Sequence, residues 1–480
     1  MSAAGPPERV ALSTKLLFGC GSVAEGTKAT AFNVFLLFYY NQVLGLPGTL
    51  SGAAIFLALC VDAITDPLIG AVSDNFRSRW GRRHPFMYAA GLPMALCFFL
   101  LFNPPSGLGE TALFAWLTVF AIGVRASMTL YAIPSSAMLP ELTSNYDERT
   151  SLVSFRFLFG WMGGLAVAQI GYLHFFAPSE SYGDGRLDPG AYGAFAGVCA
   201  LLVLTAILVC ALGTHRLIPN LRTASAAQPL TPRRFAQLVR QVLGNRAYRL
   251  LLGAGLFAAV AGGFTDVIGL YMNTYFWEFT TDEIAVLVWG LVVSLLLAFT
   301  LTRPVTARFD KKQSALGIAA FAILWGPLPV VLRLLGWMPL NGEPLLLYLI
   351  LIHSALLVAA VIAIGITVGS MLADVVDEGE LQTGERQEGM FMSTVAFTGK
   401  AVSGVGGLLA GVALDLVAFP SQAAPGDVDP EKVFQLGLVV GPGLMVLYLV
   451  TLIFLSRYPI TRSRHREILA ELERRRGEVG

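Results

Sequence analysis

The residues best placed to do chemistry are Asp62, Thr65 and Asp66, in the run Asp62-Ala63-Ile64-Thr65-Asp66-Pro67. From Ala29 to Ser73 the chain carries no other charge. A carboxylate deep in a bilayer is costly, so intramembrane acids are rare and mark function by default. Positions i and i+4 share a helix face, so the two acids point the same way, and Thr65 adds a neutral oxygen. Carboxylates, a hydroxyl and nearby carbonyls are what hard cations take as ligands. The competing reading is a structural ion pair with basic partners; two acids one turn apart favour a cation site. The expected ion is Na+, with H+ and Li+ as alternatives.

Other charges fall inside apolar stretches away from their ends: Glu25 and Lys28, Arg125, Arg156, Asp266 and Lys400. Together with Asp62 and Asp66 they make four acids and four bases. Lone charges in hydrocarbon are costly, so this neutral set must face a shared wet cavity or pair internally. Glu25 and Lys28, at i and i+3, can satisfy one another. Arg156 and Lys400 have no acid within a turn of their own helices and need partners from elsewhere.

The elements that position these groups are membrane spans. The chain has 480 residues, 55% hydrophobic and 14% charged, with 50 Gly and 31 Phe; soluble domains run at about 25% charged. A net charge of +1 argues for no nucleic-acid partner. The five cysteines lie in apolar stretches, without metal spacing or a disulfide framework. The first dozen residues carry no cleavable signal pattern. Twelve apolar segments, from 13–40 to 432–456, are long enough to cross a bilayer, which takes roughly 17–25 residues. Connections rich in Arg and Lys (Arg77 to Arg83, Arg216 to Arg246, Arg303 to Lys312, and the tail from Arg457) alternate with connections almost free of them. The positive-inside rule then places both termini in the cytoplasm, and the expected location is the plasma membrane, a bacterial inner membrane.

A polar, basic stretch at 214–246 separates six segments from six. The halves echo each other: Leu139-Pro140-Glu141 followed by Asp147-Glu148-Arg149 after the fourth segment, Leu372-Ala373-Asp374 followed by Glu385-Arg386 after the tenth. This indicates an internal duplication. The expected fold is an all-α membrane protein with twelve transmembrane helices in two six-helix bundles, the major facilitator architecture, with a midplane site between repeats. Residues 1–213 and 247–456 form the bundles, 214–246 the linker, and 457–480 a basic surface helix or disordered tail.

Three stretches of the first half resemble the glycoside–pentoside–hexuronide:cation symporter family: Tyr39-Tyr40-Asn41-Gln42-Val43-Leu44-Gly45-Leu46, the Asp62 to Pro67 run, and Arg77-Ser78-Arg79-Trp80-Gly81-Arg82-Arg83-His84-Pro85. The likeness continues at Ile133-Pro134, at Asp147-Glu148-Arg149 leading to Arg156, at Ala373-Asp374-Val375-Val376-Asp377-Glu378, and at Lys400. The resemblance implies cation ligands at Asp62, Thr65, Asp66 and Thr129, a coupling lysine at Lys400 and a substrate-site arginine at Arg156. Two departures stand out. The sugar-binding acids of the family's galactoside carriers align with Gly26 and Ala132, and their aromatic platforms with Ser136 and Gly365. Glu25, Lys28, Asn33 and Arg125 are therefore candidates for a differently built substrate site.

The reading that follows is alternating-access symport of a sugar, glycoside or uronate with a cation, by a monomer in the lipid bilayer that needs no cofactor. A second reading within transport is Na+-coupled symport of a lysophospholipid or other amphiphile. An enzyme is disfavoured: none of the five histidines has the spacing of a partner to a Ser or Cys nucleophile, and there is no Walker motif. Arg149, Asp374, Asp377 and Arg386 are expected to form a cytoplasmic gate of cross-half ion pairs, against the alternative of solvated loop charges.

Overall fold

The computed structural model describes residues 9–143, 145–220, 240, 243–384 and 388–479, and among them there is no strand. Ten helices are long and apolar enough to cross a bilayer. They are α2 (Gly48–Asn75), α3 (His84–Leu101), α4 (Glu110–Leu142), α5 (Glu148–Phe175) and α6 (Pro189–His215), then α7 (Arg246–Phe276), α8 (Thr281–Thr306), α9 (Lys311–Leu334), α10 (Pro344–Thr383) and α12 (Pro430–Ser456). Two more complete the twelve. Helix α1 runs through Leu12–Cys20, Ser22–Thr30, Ala31–Leu36 and Tyr39–Val43, and α11 spans Glu388–Leu416. With no water to bond, each span satisfies its backbone internally, which is why a chain this apolar folds as helices. Starts and stops follow local chemistry. Asp188 caps α6 and Asn245 caps α7, while Thr280 and Glu283 form a reciprocal capping box at α8.

One element differs from expectation, and the tail takes the helical one of its two expected forms. Helix α10 does not stop near 372 but continues to Thr383, so Asp374 and Asp377 ride on a helix. Val375 and Val376 are buried in this extension, and Gly384 ends it at φ 76°, a left-handed cap that glycine adopts without strain. The tail is a docked helix, α13 (Arg462–Val479). Ile468 and Leu472 are buried against the second half, and Arg475 reaches the Leu381 carbonyl at 2.9 Å. Most of 214–246 lies outside the described residues.

An even number of crossings puts the start of α1 and the end of α12 at one face, called here the terminal face; the other is the distal face. The duplication read from sequence reappears as paired structure at the terminal face. Arg82, before α3, meets Glu141 at the end of α4 at 2.7 Å; Lys311, at the start of α9, meets Asp374 near the end of α10 at 2.6 Å. Among the described residues, ion pairs at this face stay within one half, as does Lys15–Glu148, and so does the His465–Asp377 hydrogen bond.

The halves meet at the distal face. Asn41 and Gln42 accept hydrogen bonds from Tyr271 and Tyr275, both at 2.9 Å, and Gln42 in turn donates to the Pro420 carbonyl at 3.1 Å. Gln422 donates to the Val43 carbonyl at 3.1 Å, and Asp415 of α11 receives the backbone N–H groups that open α2. Beside them α2 and α11 cross with backbone against backbone. A Cβ on Gly411 would lie 2.0 Å from the Gly48 carbonyl oxygen, and one on Gly52 would touch the Leu408 backbone at 3.0 Å. Glycine is required at such a crossing because any side chain would fill the gap.

Candidate functional site

Asp62 and Asp66 sit one turn apart on α2 and face Arg125 and Thr129, one turn apart on α4. Asp62 Oδ2 pairs with an Arg125 guanidinium nitrogen at 2.5 Å, and Asp66 Oδ1 accepts from Thr129 Oγ1 at 2.7 Å. Both helices run from the distal to the terminal face, so the two contacts form a ladder with one register. Asp62 and Arg125 are each more than nine-tenths buried. Asp62 Oδ1 is fully enclosed and accepts nothing. Pro67 has no N–H to return to Ala63, so a backbone carbonyl is released from the helix ladder between the two acids. Thr65 Oγ1 makes only a long 3.4 Å contact to the carbonyl of Asp62. An orphaned carboxylate oxygen, a second carboxylate with its hydroxyl partner and a freed carbonyl fit the needs of a small monovalent cation.

A second cluster lies between α1 and α5. Arg156 donates to Glu25 Oε1 at 2.7 Å, to Ser136 Oγ at 2.9 Å and to Ser22 Oγ at 3.3 Å, with its guanidinium 5.4 Å from the centroid of the Phe18 ring. The partner of Glu25 is thus Arg156 on another helix. The position that an aromatic platform holds in the family, Ser136, serves here as an acceptor. The acid missing at Gly26 has a packing reason. A Cβ there would lie 1.9 Å from the Gly160 carbonyl oxygen, because α1 and α5 cross at glycine, with Thr30 Oγ1 donating to the Gly164 carbonyl at 3.2 Å. Glu25 supplies a carboxylate from the adjacent position, where there is room.

Arg156 and Glu25 open onto a cavity of about 710 Å³, within the size range of small-molecule sites. Ser22, Thr30 and Ser136 extend its polar end. Its walls are apolar: Val34, Leu139, Val153, Phe157, Trp161 and Leu165, with Val288 and Leu291 of α8 also lining it. Phe32 carries two cations over its ring, Arg125 at 5.4 Å and Lys28 at 6.0 Å. Arg125, expected at the substrate site, is therefore placed in the α2–α4 ladder. Asn33 is exposed.

Lys400 lies on α11, and its side chain lies outside the described residues. Its backbone is one turn from Gly404, which meets Leu59 of α2; with antiparallel helices this sets Lys400 level with the Asp62–Asp66 turn. Arg386 lies outside the described residues altogether. Arg149 donates to the Thr143 carbonyl at 2.9 Å, Asp374 holds Lys311, and Asp377 meets His465 at 3.2 Å. Each of these contacts lies within one half. The seal residues Asn41, Gln42, Tyr271, Tyr275 and Asp415 escaped the sequence reading. A usable signal was present, since Tyr39-Tyr40-Asn41 and Tyr271-Met272-Asn273 end the first span of each half.

A family profile described as MFS/sugar transport protein matches residues 17–462. An uncharacterized symporter of Synechocystis sp. is 28% identical over 99% of both chains. The isoprimeverose transporter of Lactiplantibacillus pentosus is 24% identical over 91% of this chain and 88% of its own. The sodium-dependent lysophosphatidylcholine symporter 1 of Mus musculus is 24% identical over 98% and 90%. Among solved structures, a point mutant of the nucleoside transporter NupG aligns with a TM-score of 0.62 at 14% identity, over 92% of this chain and 99% of that one, a likeness of fold.

Proposed function

From the premise that the chain belongs to the MFS/sugar transport protein family, and is a transporter and not an enzyme, we propose that it carries a polar solute together with a monovalent cation, Na+ in the first instance. The α2–α4 ladder supports this most directly: Asp66 with Thr129, beside the orphaned oxygen of Asp62, offers a cation an oxygen cage inside the membrane. The substrate would lie in the neighbouring cavity, held by Arg156 and Glu25 through charge-assisted hydrogen bonds. A sugar, glycoside or uronate uses those groups best. With the basic terminal face in the cytoplasm, the sealed distal face corresponds to an inward-facing carrier.

Substrate binding and cation binding become reciprocal if Lys400 neutralises the α2 acids in the empty carrier and is released when the cation arrives. The backbone level of Lys400 supports that role. The amphiphile reading has one observation of its own. Most of the cavity wall is apolar and extends to α8, and Phe157 and Trp161 stand exposed along it.

Uptake into proteoliposomes under imposed Na+, Li+ or pH gradients tests the coupling. Asp66→Asn should lose cation stimulation, and full stimulation in that variant removes Asp66 from the site. Competition by sugars, uronates and lysophosphatidylcholine tests the substrate. Displacement by the lysolipid alone would establish the amphiphile.

A further inference from the structure

Arg125 has no role in a plain two-carboxylate cation site, yet it occupies the heart of this one. We infer that Arg125 is a built-in counter-ion, which cancels the charge of Asp62, so that Asp62 offers the transported cation an oxygen but no net charge. The inference rests on the cation-symport reading above and specifies how that site is charged.

The register carries the argument. Asp62–Arg125 and Asp66–Thr129 are both separated by 63 residues, so the guanidinium stands one helical turn from the Thr129 hydroxyl, on the same faces of α2 and α4. The pair is desolvated, and a buried charge left without its partner is far more costly than the intact pair. Among the described residues Asp62 is the acid Arg125 pairs with, since Glu25 is engaged by Arg156. The other side of the guanidinium rests on the Phe32 ring, which fixes it in place. Asp62 therefore points one oxygen at Arg125 and keeps Oδ1 free inside the site. It offers a cation a ligand oxygen but no net charge. A fixed positive charge one turn from the cation, unless neutralised, would repel it or seize Asp66 instead.

This predicts a pattern that a ligand-only role for Asp62 does not. Asp62→Asn keeps a side-chain oxygen but strands the Arg125 charge, so cation binding should be lost. Arg125→Gln uncovers the Asp62 charge, so the site should tighten, with half-saturation falling on the order of tenfold. The double variant Asp62→Asn/Arg125→Gln restores the charge balance and should recover binding to within about threefold of the unmodified protein.

The measurement is the Na+ concentration giving half-maximal thermal stabilisation of the full chain in lipid nanodiscs, with Li+ and choline as comparison salts. Rescue in the double variant supports the counter-ion. A double variant that melts like the unmodified protein without Na+ yet stays as unresponsive as Asp62→Asn overturns it and leaves cation coupling standing. An unmodified protein that responds to no cation or pH change overturns both. Should Asp62→Asn fail to accumulate, the other two variants decide: no tightening in Arg125→Gln sinks the inference.

Discussion

Asp415 accepts the backbone N–H of Gly48 at 2.9 Å, so the first residue of the second span is capped by a carboxylate from the eleventh. Its other oxygen takes the N–H of Thr49 at 2.7 Å. A helix start carries unsatisfied donors and partial positive charge, and a carboxylate there is worth about 0.5–2 kcal/mol. Here the cap comes from the opposite half, so that free energy contributes only while the distal face is shut.

Asp415→Ala should therefore bias the carrier towards opening at its distal face. In a background without native cysteines, a cysteine placed at Ala29 reports this by its rate of labelling with an impermeant thiol reagent added from the distal side. An increase of several-fold is expected, up to about 30-fold if the whole cap energy is lost. An unchanged rate would show that the cap does not help to hold the seal.

Arg156→Ala should remove three donor contacts at once and weaken substrate binding by roughly 10- to 100-fold. Arg156→Lys should recover little, because an ammonium cannot reach Glu25, Ser22 and Ser136 in the geometry that a planar fork allows. Equilibrium binding of the substrate found by competition measures both, and a Lys variant equal to the unmodified protein would argue against simultaneous engagement.

Gly26→Ala should destabilise the protein by about 1–3 kcal/mol, as overpacking does. The added methyl meets the Gly160 carbonyl, which is backbone and yields only if α1 and α5 part. Gly26→Asp, which mimics the acid of galactoside carriers, should be worse and should confer no galactoside transport. A melting curve in detergent checks the first point; a galactoside flux in the Asp variant would refute the packing explanation.

We propose that the gate expected from Arg149, Arg386, Asp374 and Asp377 forms in the opposite conformation, in which the terminal face would close. To join it, Asp374 and Asp377 must exchange Lys311 and His465 for bases of the first half. Arg149→Ala should then favour the inward-facing state and raise labelling, from the terminal side, of the same cysteine at Ala29. The effect should be modest, about fivefold or less, since partly exposed pairs contribute up to about 1 kcal/mol each. Equal labelling would return these residues to the status of solvated loop charges.

Membrane spans were legible because length and apolarity alone define them, and Asp62, Asp66, Glu25 and Arg156 stood out because a charge in such a run needs a partner or a ligand. Pairing was not. Four acids and four bases can be matched in many ways, and which base meets Asp62 depends on how α2 and α4 are rotated against each other. That rotation is set by side-chain packing distributed over both helices, which leaves no local signature. Arg125 was accordingly assigned to the substrate. Asp415 was invisible for a related reason: an acid near the end of a span looks like any solvated terminus until its partner helix is in place. The length of α10 was missed because its last turns owe their helicity to burial of Val375 and Val376 against tertiary neighbours rather than to an apolar run.

The backbone crossing of α2 and α11 at Gly48, Gly52 and Gly411 gives these helices the form of a pair of scissors. The blades are the segments beyond it, with Asp62 about 15 Å from Gly52 along α2, and Lys400 about 16 Å from Gly411 along α11, at 1.5 Å per residue. With no interlocked side chains at the pivot, rotation there needs no rotamer to be unseated. Under the proposed coupling, a change of charge between the blades would be converted into an angle at the pivot, and residues that sense an ion would not need to lie near the face that opens.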